Sequence, residues 1–317
     1  MRAGDQALSL LAVPLNVQII TALEEGPRPL MDLRRAAGSP PQTTLRGQLR
    51  KLADIGVVER QRRNDFPGNV DLELGRAGRD LLTVAELVRG WLAASPDGPL
   101  ELGGSAARSV IKALVGGWSS TIVRILAARP LSLTDLNRLI SEHNYPSLER
   151  RLGAMRLAGQ VEATAGSGRG TPYAVTEWLR RAVGPLTAAI RWERRYAPTT
   201  TAPIGRLDVE SIFLLAVPLL RLPADADGTC RLAVELRGDG GAGLAGVVVT
   251  VDEGRLVSCV ARLQGDADAW VSGPPLGWVE AILDHDLDWL EIGGDGAFAG
   301  TLLDSLHLAL TRSRQPT

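Results

Sequence analysis

The sequence predicts a mainly α chain with small β wings, built as two like modules in tandem and followed by an α+β domain. Three observations predict it. A pattern of leucine, proline and glycine positions recurs at a constant offset of 103 residues. Within each copy, helical periodicity runs up to a glycine and then gives way to two strand-like runs around a polar tip. After a Pro/Thr stretch at 196–203, the helical repeat is replaced by Val- and Leu-rich runs of strand length.

Composition sets the outer limits. A chain of 317 residues has room for two or three domains, and 45% hydrophobic residues exclude wholesale disorder. The net charge of −1 names no partner, but its distribution is uneven. Residues 1–100 carry +1, residues 101–200 carry +7 and residues 201–317 carry −9. A basic middle and an acidic tail predict parts with different tasks. Two cysteines, Cys230 and Cys259, are too few for a disulfide framework or a zinc site, which fits a reducing cytoplasm. The apolar run at 7–15 imitates the core of a signal peptide, yet it recurs inside the chain. No charge-free run approaches the roughly 18 residues of a membrane span, so a cytoplasmic location is expected.

The repeat fixes the order of elements. Leu23 falls on Leu126, Pro27 on Pro130, Leu33 on Leu136, Leu45 on Leu148, Leu49 on Leu152, Leu52 on Met155 and Gly56 on Gly159. Trp91 meets Trp192 two residues out of step, so one loop is longer in the first copy. A short apolar helix opens each copy (7–13; 107–115) and a second follows (15–23; 118–126). Gly26-Pro27 or Arg129-Pro130 breaks it. Next come a short helix (30–37; 133–140), a turn, and a longer helix (42–55; 147–158) closed by Gly56 or Gly159 at a left-handed cap. Two strands with tips at 62–68 and 166–170 and a long final helix complete the unit. This order is that of a winged helix-turn-helix, expected over 1–95 and again over 104–196.

The second copy resembles the HxlR family of bacterial regulators. The resemblance is carried by Gly117-Trp118, Ile125-Leu126, Leu133-Thr134-Asp135-Leu136, Leu148-Glu149-Arg150-Arg151-Leu152, Leu157-Ala158-Gly159-Gln160-Val161 and Tyr173-Ala174-Val175-Thr176. The first copy keeps Leu33, Leu45, Arg46, Leu49, residues 56–60 and residues 78–82. MarR and PadR families share this architecture. The resemblance implies a transcriptional regulator whose partner is double-stranded DNA. The redox-sensing cysteine that many HxlR relatives carry before the first helix has no counterpart in either copy.

A recognition helix turns one face to its core and the other to DNA. In the first copy Leu45, Leu49 and Leu52 mark the inner face, leaving Thr43, Arg46, Gly47, Arg50 and Lys51 outward. Arginine pairs bidentately with guanine, and threonine meets a phosphate or a thymine methyl. The equivalent face of the second copy holds Pro146, Arg150, Gly153 and Ala154, flanked by Ser147, Glu149 and Arg151, and is poorer in donors. The wing tips offer Arg62, Arg63 and Arg169 for phosphate or a narrow minor groove. Because Arg46 and Arg50 fall on Glu149 and Gly153, the copies are expected to read unequal half-sites. HxlR-type proteins resemble one another in working as homodimers. Two copies in one chain therefore imply a pseudo-dimer, with 7–13 against 107–115 and 81–91 against 182–192. A true homodimer is the competing arrangement.

Beyond the linker, 209–220 is an apolar helix. Residues 230–236, 246–251 and 256–263 are strands, with a hairpin turn at 252–255. Further short strands at 269–272 and 290–292 and helices at 276–283 and 302–310 make an α+β domain with an antiparallel sheet, expected over 207–317. The order resembles the sterol-carrier-protein-like fold, on residues 247–255, 266–271 and 293–295. That resemblance implies an apolar cavity for a hydrophobic small-molecule effector, with Phe213, Leu214, Val217, Trp270, Trp278, Trp289 and Phe298 as its walls. Ordinary core packing is the plainer use of the same residues.

Other motifs carry little. Gly241-x-Gly243-x-x-Gly246 leads into a strand, where a dinucleotide fingerprint must open a helix. Residues 284–288 (Asp-His-Asp-Leu-Asp) read as the solvated end of a helix, with no second histidine close in sequence. No nucleophile, base and orienting group are grouped, so no catalytic residue, cofactor or metal is expected. The sequence leads to a ligand-responsive DNA-binding regulator. Its rivals are a protein that sequesters a hydrophobic compound in its last domain, and a DNA-binding or repair protein without operator specificity.

Overall fold

In the computed structural model, the residues described are 4–62, 70–115, 117–140, 145–165, 170–197, 204–238 and 241–311. The chain divides into two compact units. One comprises Met1–Ala94, Gly98–Val115 and Ala188–Ala202; the other comprises Ser95–Asp97, Gly116–Thr187 and Pro203–Thr317.

The first unit opens with α1 (Asp5–Leu11) and α2 (Pro14–Glu24). Pro14 sits at the first helical position of α2, where its missing N–H is not needed. Then come β1 (Arg28–Pro29), α3 (Leu30–Ala36), α4 (Gln42–Asp54), β2 (Val58–Arg62), β3 (Val70–Leu74) and α5 (Arg76–Ala93). The sheet order is β1-β3-β2, antiparallel throughout, with Val58 opposite Leu74 and Arg28 opposite Leu72. Leu8, Leu11, Ile19, Ile20, Leu33, Leu45, Leu52, Leu81 and Leu92 are fully buried in this unit. β1 was not foreseen: two residues carry no readable alternation, and only pairing with β3 makes them a strand.

The same unit contains α6 (Ser105–Val115), which packs on α1 and buries Ala107, Val110, Ile111 and Leu114. It also contains the last turns of α11 (Val183–Tyr196). Compactness thus groups segments that the sequence repeat separates. The end of α11 is fastened at three points. Trp192 Nε1 donates to the carbonyl of Ala77 at 2.7 Å. Asp80 accepts from Tyr196 Oη (2.6 Å) and Arg195 Nη1 (2.9 Å). Glu193 is buried, and its carboxylate accepts the backbone N–H groups of Gly4 (2.7 Å), Gln6 and Ala7 (3.0 Å). An α-helix has no intrahelical acceptors for the donors of its first turn, and the helix dipole there favours a negative charge. Burial raises the Glu193 carboxyl above its ordinary value even against these three bonds.

The second unit begins with α7 (Gly117–Ala128), β4 (Leu131–Ser132), α8 (Leu133–Leu139), α9 (Tyr145–Leu157), β5 (Val161–Ala163), β6 (Pro172–Val175), α10 (Glu177–Arg181) and the start of α11. Its small sheet runs β4-β6-β5, again antiparallel. Helix, helix, short strand, helix, helix, hairpin and helix follow one another as in residues 5–93. The expected single closing helix is instead broken at Ala182. Pro185 has no N–H to give the preceding turn and belongs in the first turn of a new helix. Gly184 beside it lies against α14 (Gly296–Thr311), where a Cβ would fall 2.4 Å from the Leu310 carbonyl oxygen.

After α12 (Arg206–Ala216) and a single 3-10 turn at Val217–Leu219 come β7 (Gly228–Gly238), β8 (Gly241–Asp252), β9 (Arg255–Val260), β10 (Ala269–Gly273), α13 (Pro275–Asp284), β11 (Glu291–Gly294) and α14. The sheet order is β11-β10-β7-β8-β9. α12 packs on β8, and α13 and α14 pack on β7. Cys230, Leu232, Val247, Val249 and Val271 fill the buried face, while their neighbours Arg231, Val248 and Trp270 are half-buried or exposed. The sheet is mixed rather than antiparallel, because β10 runs parallel to β7. The chain leaves the far edge at β9 and returns beside β7 in the same sense, and strand direction leaves no mark on hydrophobic alternation.

Candidate nucleic-acid interface

The first helix-turn-helix is set by the turn between α3 and α4. Gly38 and Ser39 both adopt positive φ (78° and 57°). Ser39 N donates to Arg34 O at 2.8 Å, and Arg34 Nε reaches the Pro40 carbonyl at 2.9 Å. Pro41 then precedes the first residue of α4. Leu45, Leu49 and Leu52 anchor that helix to its core, and Gly56 closes it at φ 68°. Thr43, Arg46, Gly47, Arg50 and Lys51 are all exposed, as their spacing required.

The wing supplies the other wall. Val58, Arg60 and Arg62 share one face of β2, opposite Leu74, Leu72 and Val70. Between this face and α4 lies a groove of about 960 Å³. Leu49, Val58 and Leu72 contribute its apolar floor, and Thr43, Arg46, Arg50, Arg60 and Arg62 also line it. Among the described residues, none of these four arginines is engaged in an ion pair. Four unneutralised guanidinium groups around one groove make a local positive potential suited to a phosphate backbone. Arg60 was missed by sequence reasoning. The signal was the alternation Val58-x-Arg60-x-Arg62, which sets Arg60 beside Arg62 on one side of the strand. Arg63 and Arg169, expected at the wing tips, lie outside the described residues.

The corresponding face in the second unit has a different chemistry. Ser132 caps α8, accepting from Asp135 N and donating to Asp135 Oδ2, and that hydrogen bond holds the Asp135 carboxyl below its ordinary value. α9 buries Leu148, Leu152 and Met155. Arg150 is exposed, whereas Ser147 and Arg151 are half-buried and both have interactions. At the positions of Thr43, Arg46, Arg50 and Asp54 stand Pro146, Glu149, Gly153 and Leu157. Leu157 is 84% exposed. Ala163 takes the place of Arg60 on β5.

The seven residues expected to wall a ligand cavity do not share one environment. Phe213, Leu214, Val217, Trp278 and Phe298 are buried. Phe213 meets Trp278 edge-on with ring centroids 5.0 Å apart, and Trp278 Nε1 donates to the Ala233 carbonyl at 2.8 Å. These two side chains are committed to core packing. Trp270 and Trp289 are instead exposed, at 38% and 65%. The Trp270 ring lies over Gly293 on the neighbouring strand, where any Cβ would come within 2.5 Å of it. An aromatic at strand spacing marks burial in the sequence, but here the ring packs over a facing glycine and stays partly exposed.

The remaining motifs resolve simply. Gly243 and Gly246 lie within strand β8. His285 ends α13 in a left-handed conformation and pairs with Asp304 at 2.7 Å. Among the described residues no three His, Cys, Asp or Glu side chains are grouped to hold a metal ion. Burial pushes the thiols of Cys230 and Cys259 up to about 12, so neither is a ready thiolate. No single helix among the described residues is long and apolar enough to cross a membrane.

Residues 14–97 match the HxlR-like helix-turn-helix family. The match spans α2 to α5 and therefore contains the arginine-lined groove. No curated protein matches the chain.

Proposed function

We propose that the chain is a cytoplasmic, non-enzymatic transcriptional regulator that reads double-stranded DNA through α4 and the β2–β3 wing. The observation that carries this reading is the groove in which Arg46, Arg50, Arg60 and Arg62 stand without acidic partners among the described residues, inside the segment that matches a helix-turn-helix family. Arg46 and Arg50 are positioned along the exposed face of a helix, as readout of base edges in the major groove requires. Arg60 and Arg62 sit on the wing, where contacts to the phosphate backbone position the protein without selecting sequence.

In this reading residues 104–196 are a second module of the same kind, supported by the constant sequence offset and the repeated order of elements. The packing of α6 on α1, and the fastening of α11 to α5 through Trp192, Arg195 and Tyr196, support a pseudo-dimer within one chain. Residues 207–317 are the sensory part, a reading that rests on the sequence resemblance of residues 247–255, 266–271 and 293–295 to sterol-carrier-protein-like domains. The test is selection from a randomised duplex library with the full chain. The reading expects an enriched sequence bound more tightly than bulk DNA, with affinity falling steeply as salt rises. Retention of no duplex at low salt would refute it. Salt-dependent retention without enrichment would favour an architectural DNA binder.

A further inference from the structure

A second concavity lies within the second unit. It is a cleft of about 340 Å³ lined by Glu177 and Arg181 of α10, Leu219 and Arg221 at the end of the 3-10 turn, and one face of α14. That face presents Ser305, Leu308 and Ala309, spaced three and four residues apart as one side of a helix. The volume is at the lower end for small-molecule sites, so it suits a small ligand.

The lining has a definite chemistry. Arg181 Nη2 is tied to Glu177 Oε1 at 2.5 Å, one turn apart on α10, so these two charges cancel. Arg221 has no acidic partner among the described residues, which leaves the cleft with one net positive charge. Its backbone is held in place, since Ser305 Oγ donates to the Arg221 carbonyl at 3.2 Å. The apolar wall is Leu219, Leu308 and Ala309, and Leu308 stays 41% exposed although it lies in a concave site. An uncompensated guanidinium beside an incompletely covered leucine calls for a molecule with one negative end and one hydrocarbon end.

We propose that this cleft is an effector site for a small amphipathic monoanion, a carboxylate with a short hydrocarbon body. The carboxylate accepts from the Arg221 guanidinium, and the hydrocarbon covers Leu308 and Leu219. A single net charge selects against a dianionic phosphate, and the size selects against long acyl chains. The site joins the segment carrying α10 to the C-terminal domain, both in one compact unit. The binding claim does not depend on the DNA-binding reading.

Titration calorimetry and thermal melting of the full chain test it, with octanoate as probe and octylamine and octanol as controls of the same length. Octanoate is expected to bind saturably and to raise the melting temperature by mass action, while octylamine does neither. Arg221→Gln is expected to weaken octanoate about tenfold or more by removing the charged donor. Leu308→Asp is expected to abolish binding. Both positions are exposed, and circular dichroism checks that each variant folds. Failure of octanoate to bind at millimolar concentration overturns the proposal. So does octanoate binding that both variants leave unchanged, or octylamine binding of equal strength.

Discussion

Residues 5–93 and 105–196 share a succession of elements and differ in what they expose. α4 turns Thr43, Arg46, Gly47, Arg50 and Lys51 to solvent beside a wing carrying Arg60 and Arg62. α9 turns out Pro146, Glu149, Arg150, Gly153 and Leu157, beside a strand with Glu162 and Ala163. The buried positions are almost unchanged, with Leu45, Leu49 and Leu52 matched by Leu148, Leu152 and Met155. One face of each helix answers to the core, and the core demands the same volumes in both. The other face is exposed to solvent, and there the two differ. Shared architecture therefore does not carry shared readout from one segment to the other.

The largest expected effect separates the two helices directly. Replacing Arg46 and Arg50 together by alanine should weaken binding to a selected duplex by about 1–3 kcal/mol for each lost base contact. Arg150→Ala should cost less than tenfold in affinity. Fluorescence anisotropy at one fixed salt concentration compares them, and equal losses would erase the distinction. A gain-of-function version follows. Glu149→Arg with Gly153→Arg gives α9 the charges of α4 and should tighten binding. Unchanged affinity would mean that α9 does not reach DNA.

Much of this was legible beforehand. The inner faces of α4 and α9 were readable because leucines at helical spacing leave little freedom, and the outward arginines followed by subtraction. Arg60 is less legible than the arginines of the tip, because only alternation from Val58 along β2 marks it. β1 and β4 were not legible, since two-residue strands exist only through their partners. The parallel pairing of β10 with β7 was hidden for a related reason: direction is a property of the path, not of any residue. The exposure of the aromatic set was the least legible. Trp270 and Trp289 have the composition of a cavity wall and the exposure of a surface. The anchors of α11 are half-visible: Trp192 is a repeat position, but nothing in its spacing announces a carbonyl partner 115 residues away.

Smaller effects test the wing and the anchors. Arg60→Ala should weaken all duplexes alike and lower the slope of log affinity against log salt by about one. A loss confined to the selected sequence would instead make Arg60 a base reader. The anchors predict a pH dependence of two signs. For Glu193 the folded value is raised, so the neutral form is favoured by folding. Its contribution to stability should be greatest below the ordinary glutamate value and decline as pH rises through the raised one. For Asp80, burial raises the carboxyl, but the hydrogen bonds from Tyr196 and Arg195 outweigh it and the net shift is downward. Its contribution should be present at neutral pH and lost on acidification. Urea unfolding across pH, compared with Glu193→Gln and Asp80→Asn, separates the two. Stability differences that change with pH in the same direction for both variants would contradict these assignments.

If α4 is the main reader of sequence, a position-by-position specificity profile will show it. Each base pair of a selected duplex is substituted in turn, and binding is measured for the wild-type chain, for Arg46→Ala/Arg50→Ala and for Arg150→Ala. The account predicts one cluster of strongly specified base pairs that vanishes in the double variant and survives in Arg150→Ala. Two equally specified half-sites of mirrored sequence, or a profile that the double variant leaves intact, would contradict it.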